Sequence, residues 1–472
     1  MNVLFCASEA GPFAASGGLA DVAGSLPKAL IKNGVDCRVV LPLYGDLKYR
    51  DQLEYVTNFC VPVGWRNQYC GLFTARHEGV TFYFLDNEYY FKRSGLYGFF
   101  DDGERFAFFS RAILEMLFYT DFMPDVIHAN DWQTALVPVY LNLYYRHLDK
   151  YCRVKTVFTI HNIQYQGKYG LEILEDTCAI SKRDAHILEY DGCANFMKGA
   201  IETADKVSTV SPTYAGEILD PWFSHGLDGL LKQKQYKLCG ILNGIDVDGY
   251  NPETDPHIAA HYDADTFSVG KAECKEKLRE QFGLEQDDSP VMGMVTRLVG
   301  HKGLDLVRNV AEGLVDQGIQ LVVLGNGEHA YETFFSDLAA RHPGRVGVYI
   351  GFVPPLARQV YAGADLFLMP SKSEPCGLSQ MVACRYGTIP IVRETGGLKD
   401  SIHDSGDGYG NGFTFKQYNA HDLYEACWRA KEGYWQKEGW PLLVKRAMQC
   451  DFSWNASAHS YMDMYEQIMG LW

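Results

Sequence analysis

The chain has 472 residues, 47% of them hydrophobic and 22% charged, an ordinary globular profile too long for one core, so two or more domains are expected. A formal net charge of -16 argues against DNA or an anionic membrane surface as the main partner, yet a few local donors can still hold an anionic small ligand. The 13 cysteines form no C-x-x-C pair, there is no basic n-region, and no run reaches ~18 apolar residues, so a disulfide framework, a zinc site, a signal peptide and a membrane span are not expected, and a soluble cytoplasmic protein is.

The first segment alternates short apolar runs with helical spacing. "VLFCA" (3–7) reads as a strand, "LADVAGSLPKALIKN" (19–33) as a helix that stops at Gly34, and "DCRVVLPLY" (36–44) as the next strand. This is a β-α-β unit, from which a parallel sheet follows. Further strands are expected at 125–129, 155–160 and 206–210, each followed by a polar loop. Residues 250–258, polar and Pro-bearing, read as a linker. A second βα series follows, with strands at 290–298, 320–327, 345–352, 364–370 and 388–397. Residues 457–472 read as an amphipathic helix. The fold class is therefore α/β, with two tandem Rossmann-like doubly wound domains. Ligands of such sheets bind beyond the carboxyl ends of the strands, and two facing crevices would make one deep cleft.

The conspicuous polar clusters fall at strand ends. Gly17-Gly18 opens a helix, either as a simple tight turn or as an N-terminus that suits a pyrophosphate. "TRLVGHKGLD" (296–305) places Arg297 after a strand and Lys302 before a helix. They are either solvated cations or a fork and an ammonium for a diphosphate; the strand-end position favours the second. In "PSKSEPCGLSQ" (370–380) Glu374 can accept hydrogen bonds from sugar hydroxyls, and the N–H groups of Gly377 and Leu378 can donate. Cys376 at a helix start is a nucleophile in principle, but no histidine base is near, so a substrate-lining thiol is the preferred reading. Thr395-Gly396-Gly397 again sets glycines before a helix. His161, at the end of "KTVFTI", is either a satisfied structural histidine or a site residue beside Asn162. Asp131 in "HANDWQ" either caps a helix or meets a hydroxyl.

Some chemistries lack their motif. "LGNGEHA" (324–330) lacks the third glycine of a dinucleotide fingerprint, and there is no P-loop, G-x-S-x-G elbow or H-E-x-x-H. No Asp-x-Asp pair sits in a strand-end loop to hold a metal–diphosphate.

Taken together, "SGGLADVAGSLPKAL" (16–30), "HANDWQTALVP" (128–138), "TIHNIQYQG" (159–167), "GILNGID" (240–246), "TRLVGHKGLDL" (296–306) and "PSKSEPCGLSQ" with "YGTIPIVRETGGL" (386–398) make the chain resemble the glycogen/starch synthase family of retaining glycosyltransferases, its bacterial glycogen synthases above all. The resemblance covers nearly the whole length. It implies a glycosyltransferase-B fold: an N-terminal Rossmann-like domain over 1–245 on the acceptor side, a C-terminal one over 246–456 on the nucleotide-sugar side, and a helix over 457–472 returning to the first. It implies transfer of glucose from ADP-glucose to the non-reducing end of an α-1,4-glucan such as glycogen, with no metal and no cofactor. Carried over residue by residue, Glu374, Arg297, Lys302 and His161 are the implied catalytic group. Gly18, Phe352, Cys376, Gly377, Leu378 and Asn243 are the implied donor-binding set, with the Phe352 ring on the adenine. Asp131, Tyr97 and Asn162 are the implied sugar and acceptor set.

One departure is plain. Where the family commonly has Lys-Thr-Gly-Gly, this chain has Ala15-Ser16-Gly17-Gly18, so the lysine that would approach the phosphates is absent. The open alternatives are UDP-glucose as donor, a non-catalytic glucan-binding paralogue, and a nucleotide-sugar epimerase or hydrolase on the same architecture. Pyridoxal-dependent phosphorylase has no motif here. Oligomeric state is not legible.

Overall fold

The computed structural model describes residues 1–471. Contacts divide the chain into two compact units, one of Met1–Ile241 with the stretch from Trp454 onward, the other of Leu242–Ser453. The division thus falls a few residues from the expected boundaries: residues 242–245 go with the second unit and 454–456 with the first. Among the described residues no helix is long and apolar enough to cross a membrane.

The first unit is built on a nine-stranded sheet. Its strands are β1 (Asn2–Cys6), β2 (Asp36–Pro42), β3 (Glu54–Val63), β4 (Arg66–His77), β5 (Val80–Asp86), β6 (Val126–Asn130) and β7 (Lys155–Ile160). A separate three-stranded sheet holds β8 (Lys168–Tyr169), β9 (Glu189–Tyr190) and β10 (Cys193–Asn195), and β11 (Lys206–Thr209) and β12 (Leu238–Gly240) complete the main one. The main order is β12-β11-β7-β6-β1-β2-β5-β4-β3. Its centre is parallel, and β1 and β6 are buried almost throughout, as expected for strands covered on both faces. The chain runs from β1 outward to one side, then returns at β6 and runs to the other. That reversal is the topological switch point where such sheets bind ligands.

Two features depart from the sequence expectation. Residues 54–86 form an antiparallel meander on the sheet edge, where one face of β3 stays largely exposed. The C-terminal helix begins at Trp454, three residues early, and runs to Met469. It joins the first unit through Asn455, which accepts from Asn33 at 2.8 Å, and through Tyr465, whose hydroxyl lies 2.7 Å from His128 Nδ1 in β6. Trp472, the last residue of the helix expected over 457–472, lies outside the described residues.

The second unit has a six-stranded parallel sheet of β13 (Val291–Val295), β14 (Gln320–Gly325), β15 (Val346–Ile350), β16 (Leu366–Met369), β17 (Ile389–Arg393) and β18 (Phe413–Phe415), in the order β15-β14-β13-β16-β17-β18. Its switch point lies between β13 and β16. Residues 250–258 are not a linker. They lie inside this unit, where the buried Asp255 accepts from Arg358 at 3.0 Å and from Tyr386.

A buried cation ties the back of this sheet. Lys271, on the helix Phe267–Phe282, donates to the carbonyls of Ala362, Ala364 and Tyr386 and to Thr388 Oγ1 at 2.8–3.1 Å. Burial pulls its ammonium down to about 8, because desolvation disfavours the charged form. Lys271→Met would remove a donor from all three carbonyls, of which those of Ala364 and Tyr386 keep a hydroxyl donor, from Thr388 and Tyr262. A loss of about 1–3 kcal/mol is expected, read as a lower urea midpoint for the unfolding of this unit.

Candidate active site

In the first unit, the loops after β1 and β6 meet at the switch point. Glu9, in the loop after β1, is buried and accepts from Ser16 Oγ at 2.8 Å, from the Gly17 N–H at 3.2 Å and from the Ser16 N–H. Sequence reasoning did not single it out. The Gly17 N–H, in the glycine turn expected to face an anion, is therefore held by an internal carboxylate. The helix itself begins at Gly18 with extended Gly17 as its cap, and the space a Gly18 Cβ would fill is open. Ala15 is exposed.

Asp131 directly follows β6. Its backbone sits at φ 56°, a conformation L-residues adopt at a cost and mostly at functional positions. One carboxylate oxygen accepts from the backbone N–H of His161 at 2.8 Å and of Asn162 at 3.2 Å. Burial, aided by the Glu9 charge, pushes this carboxyl up to about 7 against those two hydrogen bonds. The His161 ring places Nε2 2.8 Å from Asn130 Oδ1, and burial pulls its pKa down to about 4, so the ring is neutral at physiological pH. The Asn162 side chain turns back to accept from the Gln164 N–H at 3.1 Å, so its oxygen shapes the loop. Tyr97 reaches in from the loop before the helix Asp102–Met116 and places its hydroxyl 2.7 Å from Ser8 Oγ. Its ring neighbours Phe106, which in turn meets the edge of Trp132. The first unit thus brings Asp131, His161, Asn162 and Tyr97 to the loops around one switch point, with Gly18 on the Glu9-held loop.

In the second unit the corresponding loops follow β13 and β16. Gly303, at φ 77°, allows the Pro370 carbonyl to approach to where a Cβ would stand 2.0 Å away, and the Lys372 N–H donates to the His301 carbonyl at 2.9 Å. These contacts carry Lys302 to Glu374: Nζ lies 2.6 Å from Oε2, which also accepts from Ser371 Oγ at 3.0 Å. Both side chains are largely buried, at 17% and 10% exposure. Arg297 is exposed, and no side chain pairs with its guanidinium among the described residues.

Gly396 and Gly397 serve the same loop from beneath, a use the sequence did not suggest. A Cβ on Gly396 would stand 2.0 Å from the Glu374 carbonyl, and the Gly397 N–H donates to the Glu374 and Pro375 carbonyls at 3.1 Å. Gly377 takes φ 68°, and the helix expected to open there begins at Ser379, just after the half-exposed Leu378. The Cys376 thiol is buried and raised to about 12, so it is a lining group and not a thiolate. It lies against the backbone of Asn243, whose buried Oδ1 has no partner among the described residues. Phe352 follows the edge strand β15, two strands from β13, with its ring 64% exposed. It is not gathered into the Lys302–Glu374 cluster. Among the described residues no group of three His, Cys, Asp or Glu side chains could hold a metal ion.

Comparison with known proteins gives these clusters a context. Residues 2–233 match the model of the starch synthase catalytic domain, and residues 275–438 match that of glycosyl transferases group 1. The chain is 53% identical over 476 aligned positions to a glycogen synthase of Geobacillus thermodenitrificans, covering 99% of this chain and 98% of that one. A Bacillus cereus glycogen synthase is 51% identical, with 99% and 100% covered. Among solved structures, the catalytic domain of starch synthase IV from Arabidopsis thaliana, bound to ADP and acarbose, is 35% identical with a TM-score of 0.88 and 99% of both chains covered. Sucrose-phosphate synthase from Thermosynechococcus elongatus, at 16% identity and a TM-score of 0.60 over the full length of both chains, shares the fold. The chain belongs to the glycogen/starch synthase family of retaining glycosyltransferases, with the two-domain GT-B fold.

Proposed function

We propose that the chain transfers glucose from ADP-glucose to the non-reducing end of an α-1,4-glucan, with retention and without a divalent metal, as the chain-lengthening step of glycogen synthesis in the cytoplasm. The observation that carries this reading is the Lys302–Glu374–Ser371 cluster with the unpaired Arg297 guanidinium on the same strand-end loop as Lys302. The leaving group is a diphosphate whose charge grows as the glycosidic C1–O bond breaks. Arg297 and Lys302 supply positive charge to that diphosphate, and preorganised charge of this kind is the largest common source of rate. Glu374 accepts from donor-sugar hydroxyls, and the Asn243 oxygen with the Cys376–Leu378 segment lines the sugar. In the first unit, His161 is assigned a catalytic role and Asp131, Tyr97 and Asn162 sugar and acceptor binding. The adenine stacks on Phe352. The acceptor hydroxyl enters on the face the diphosphate leaves, and the departing phosphate takes its proton. Support for the donor and acceptor classes comes from the starch synthase relative that holds ADP and acarbose.

The test is incorporation of labelled glucose into glycogen from ADP-glucose and, in parallel, UDP-glucose, both in EDTA. Sustained transfer from ADP-glucose is expected, and it would show that Ala15 is tolerated. Transfer from UDP-glucose alone would move the donor assignment, and glycogen binding without transfer would leave a binding protein. Arg297→Ala and Lys302→Ala should each lower kcat by about 10²–10³. The exposed Arg297→Ala should leave unfolding within ~0.5 kcal/mol of wild type.

Asp131 supplies a pH prediction. An unfolded Asp ionises near 3.8 and the folded one near 7, so between these values the unfolded state holds fewer protons. The contribution of this carboxyl to stability therefore falls as pH rises from about 4 to 7. Asp131→Asn removes that dependence, and its stability relative to wild type should climb across the same window while transfer declines. A constant difference in urea midpoint from pH 4 to 8 would contradict this.

A further inference from the structure

Asn130 is the last residue of β6 and fully buried. Its amide NH₂ donates to the Cys6 carbonyl of β1 at 3.0 Å and to the His128 carbonyl at 3.2 Å. Both partners are acceptors only. Turning the amide over would set Oδ1 against two carbonyl oxygens, so the hydrogen-bond network fixes its orientation. Oδ1 is thereby aimed at His161 Nε2, 2.8 Å away. An amide oxygen can only accept, so Nε2 carries the hydrogen.

We propose that Asn130 is a positioning residue that locks His161 in the Nε2–H tautomer, so that the imidazole meets the donor sugar with Nδ1 as a hydrogen-bond acceptor only. This rests on the reading of His161 as a sugar-facing residue. A neutral imidazole has one N–H, and here Asn130 holds it. No group is hydrogen-bonded to Nδ1 among the described residues. The histidine is held at a second point, because its backbone N–H donates to Asp131, and the Asp131 N–H is itself bound to the Thr159 carbonyl at 2.9 Å. The neighbouring titratable groups do not compete. His128 is kept neutral by burial and spends its nitrogens on Tyr465 and Thr159, while Asp131 engages the backbone of His161 and not its ring. An acceptor-only Nδ1 pairs with a hydroxyl and repels a carboxylate oxygen. The device therefore selects a neutral hexosyl donor over a uronic acid donor, on a lever set one strand away from the sugar.

The test reads the ring directly in the full chain labelled with ¹⁵N-histidine, with the His161 signals assigned by their loss in His161→Gln. The wild type should show a bare Nδ1 and a protonated Nε2, with no titration of this ring above pH 5. Asn130→Ala should give a mixture of tautomers whose titration moves toward the ordinary histidine value of about 6.5. Its kcat/KM for the donor should fall about tenfold, the worth of one hydrogen bond, and should fall further as that ring protonates at acid pH. A protonated Nδ1 in the wild type would overturn the proposal. So would His161 signals unchanged in Asn130→Ala. The ring signals are read without substrate, so failure of glucose transfer and failure of the positioning role are separate results.

Discussion

Lys302 and Glu374 are 72 residues apart in sequence, yet Nζ and Oε2 are hydrogen-bonded at 2.6 Å, and much of the second unit serves to bring them there. The parallel pairing of β13 with β16 sets their loops side by side. Gly303 lets the Pro370 carbonyl pass where a side chain would stand, and Gly396 does the same beneath Glu374. Taking both charges out of water costs free energy that their mutual attraction offsets only when the geometry is good. Such a pair is weak evidence of stability. It is better understood through the proposed reaction, in which the ammonium serves the diphosphate and the carboxylate accepts from the sugar, neither of which an apolar replacement could supply.

The first unit answers with a different device on the same topology. There the switch point between β1 and β6 gathers no ion pair among the described residues. It gathers the carboxyls of Glu9 and Asp131 and the neutral ring of His161. Glu9 is spent on the glycine loop, and Asp131 is held at an uncommon φ with its carboxyl raised to about 7. Strain and a displaced titration both lower the stability of the native state, and they persist because the surrounding hydrogen bonds over-determine them. The C-terminal helix reaches this layer too, since Tyr465 meets His128 two residues before Asn130.

Much of this was legible in the sequence because parallel strands covered on both faces are written as unbroken apolar runs. "VLFCA", "KTVFTI" and "ADLFLM" announce strands within a residue or two of where they stand, and the polar residues just after them fall in strand-end loops. What escaped was set by partners far away in sequence. The meander over 54–86 carries charges and tyrosines because one of its faces is exposed, which blurs the strand signal. Asp255 looks like a linker residue until Arg358 and Tyr386 close on it. Asn130 lies inside the "HANDWQ" motif and Glu9 between "VLFCA" and the glycine turn, yet their roles depend on which groups the fold carries to them. Gly396-Gly397 resembles a second anion loop and is instead a place for backbone to pass beneath Glu374.

The most direct test of this account is the affinity of ADP for the wild type and for Glu374→Gln, measured by calorimetry alongside glucose transfer. If Lys302 must be shared between Glu374 and the diphosphate, neutralising the carboxylate frees the ammonium. Glu374→Gln should then bind ADP more tightly than the wild type while transferring glucose at a small fraction of its rate. Weaker ADP binding in Glu374→Gln would contradict the claim that this ion pair poises the cation for the diphosphate.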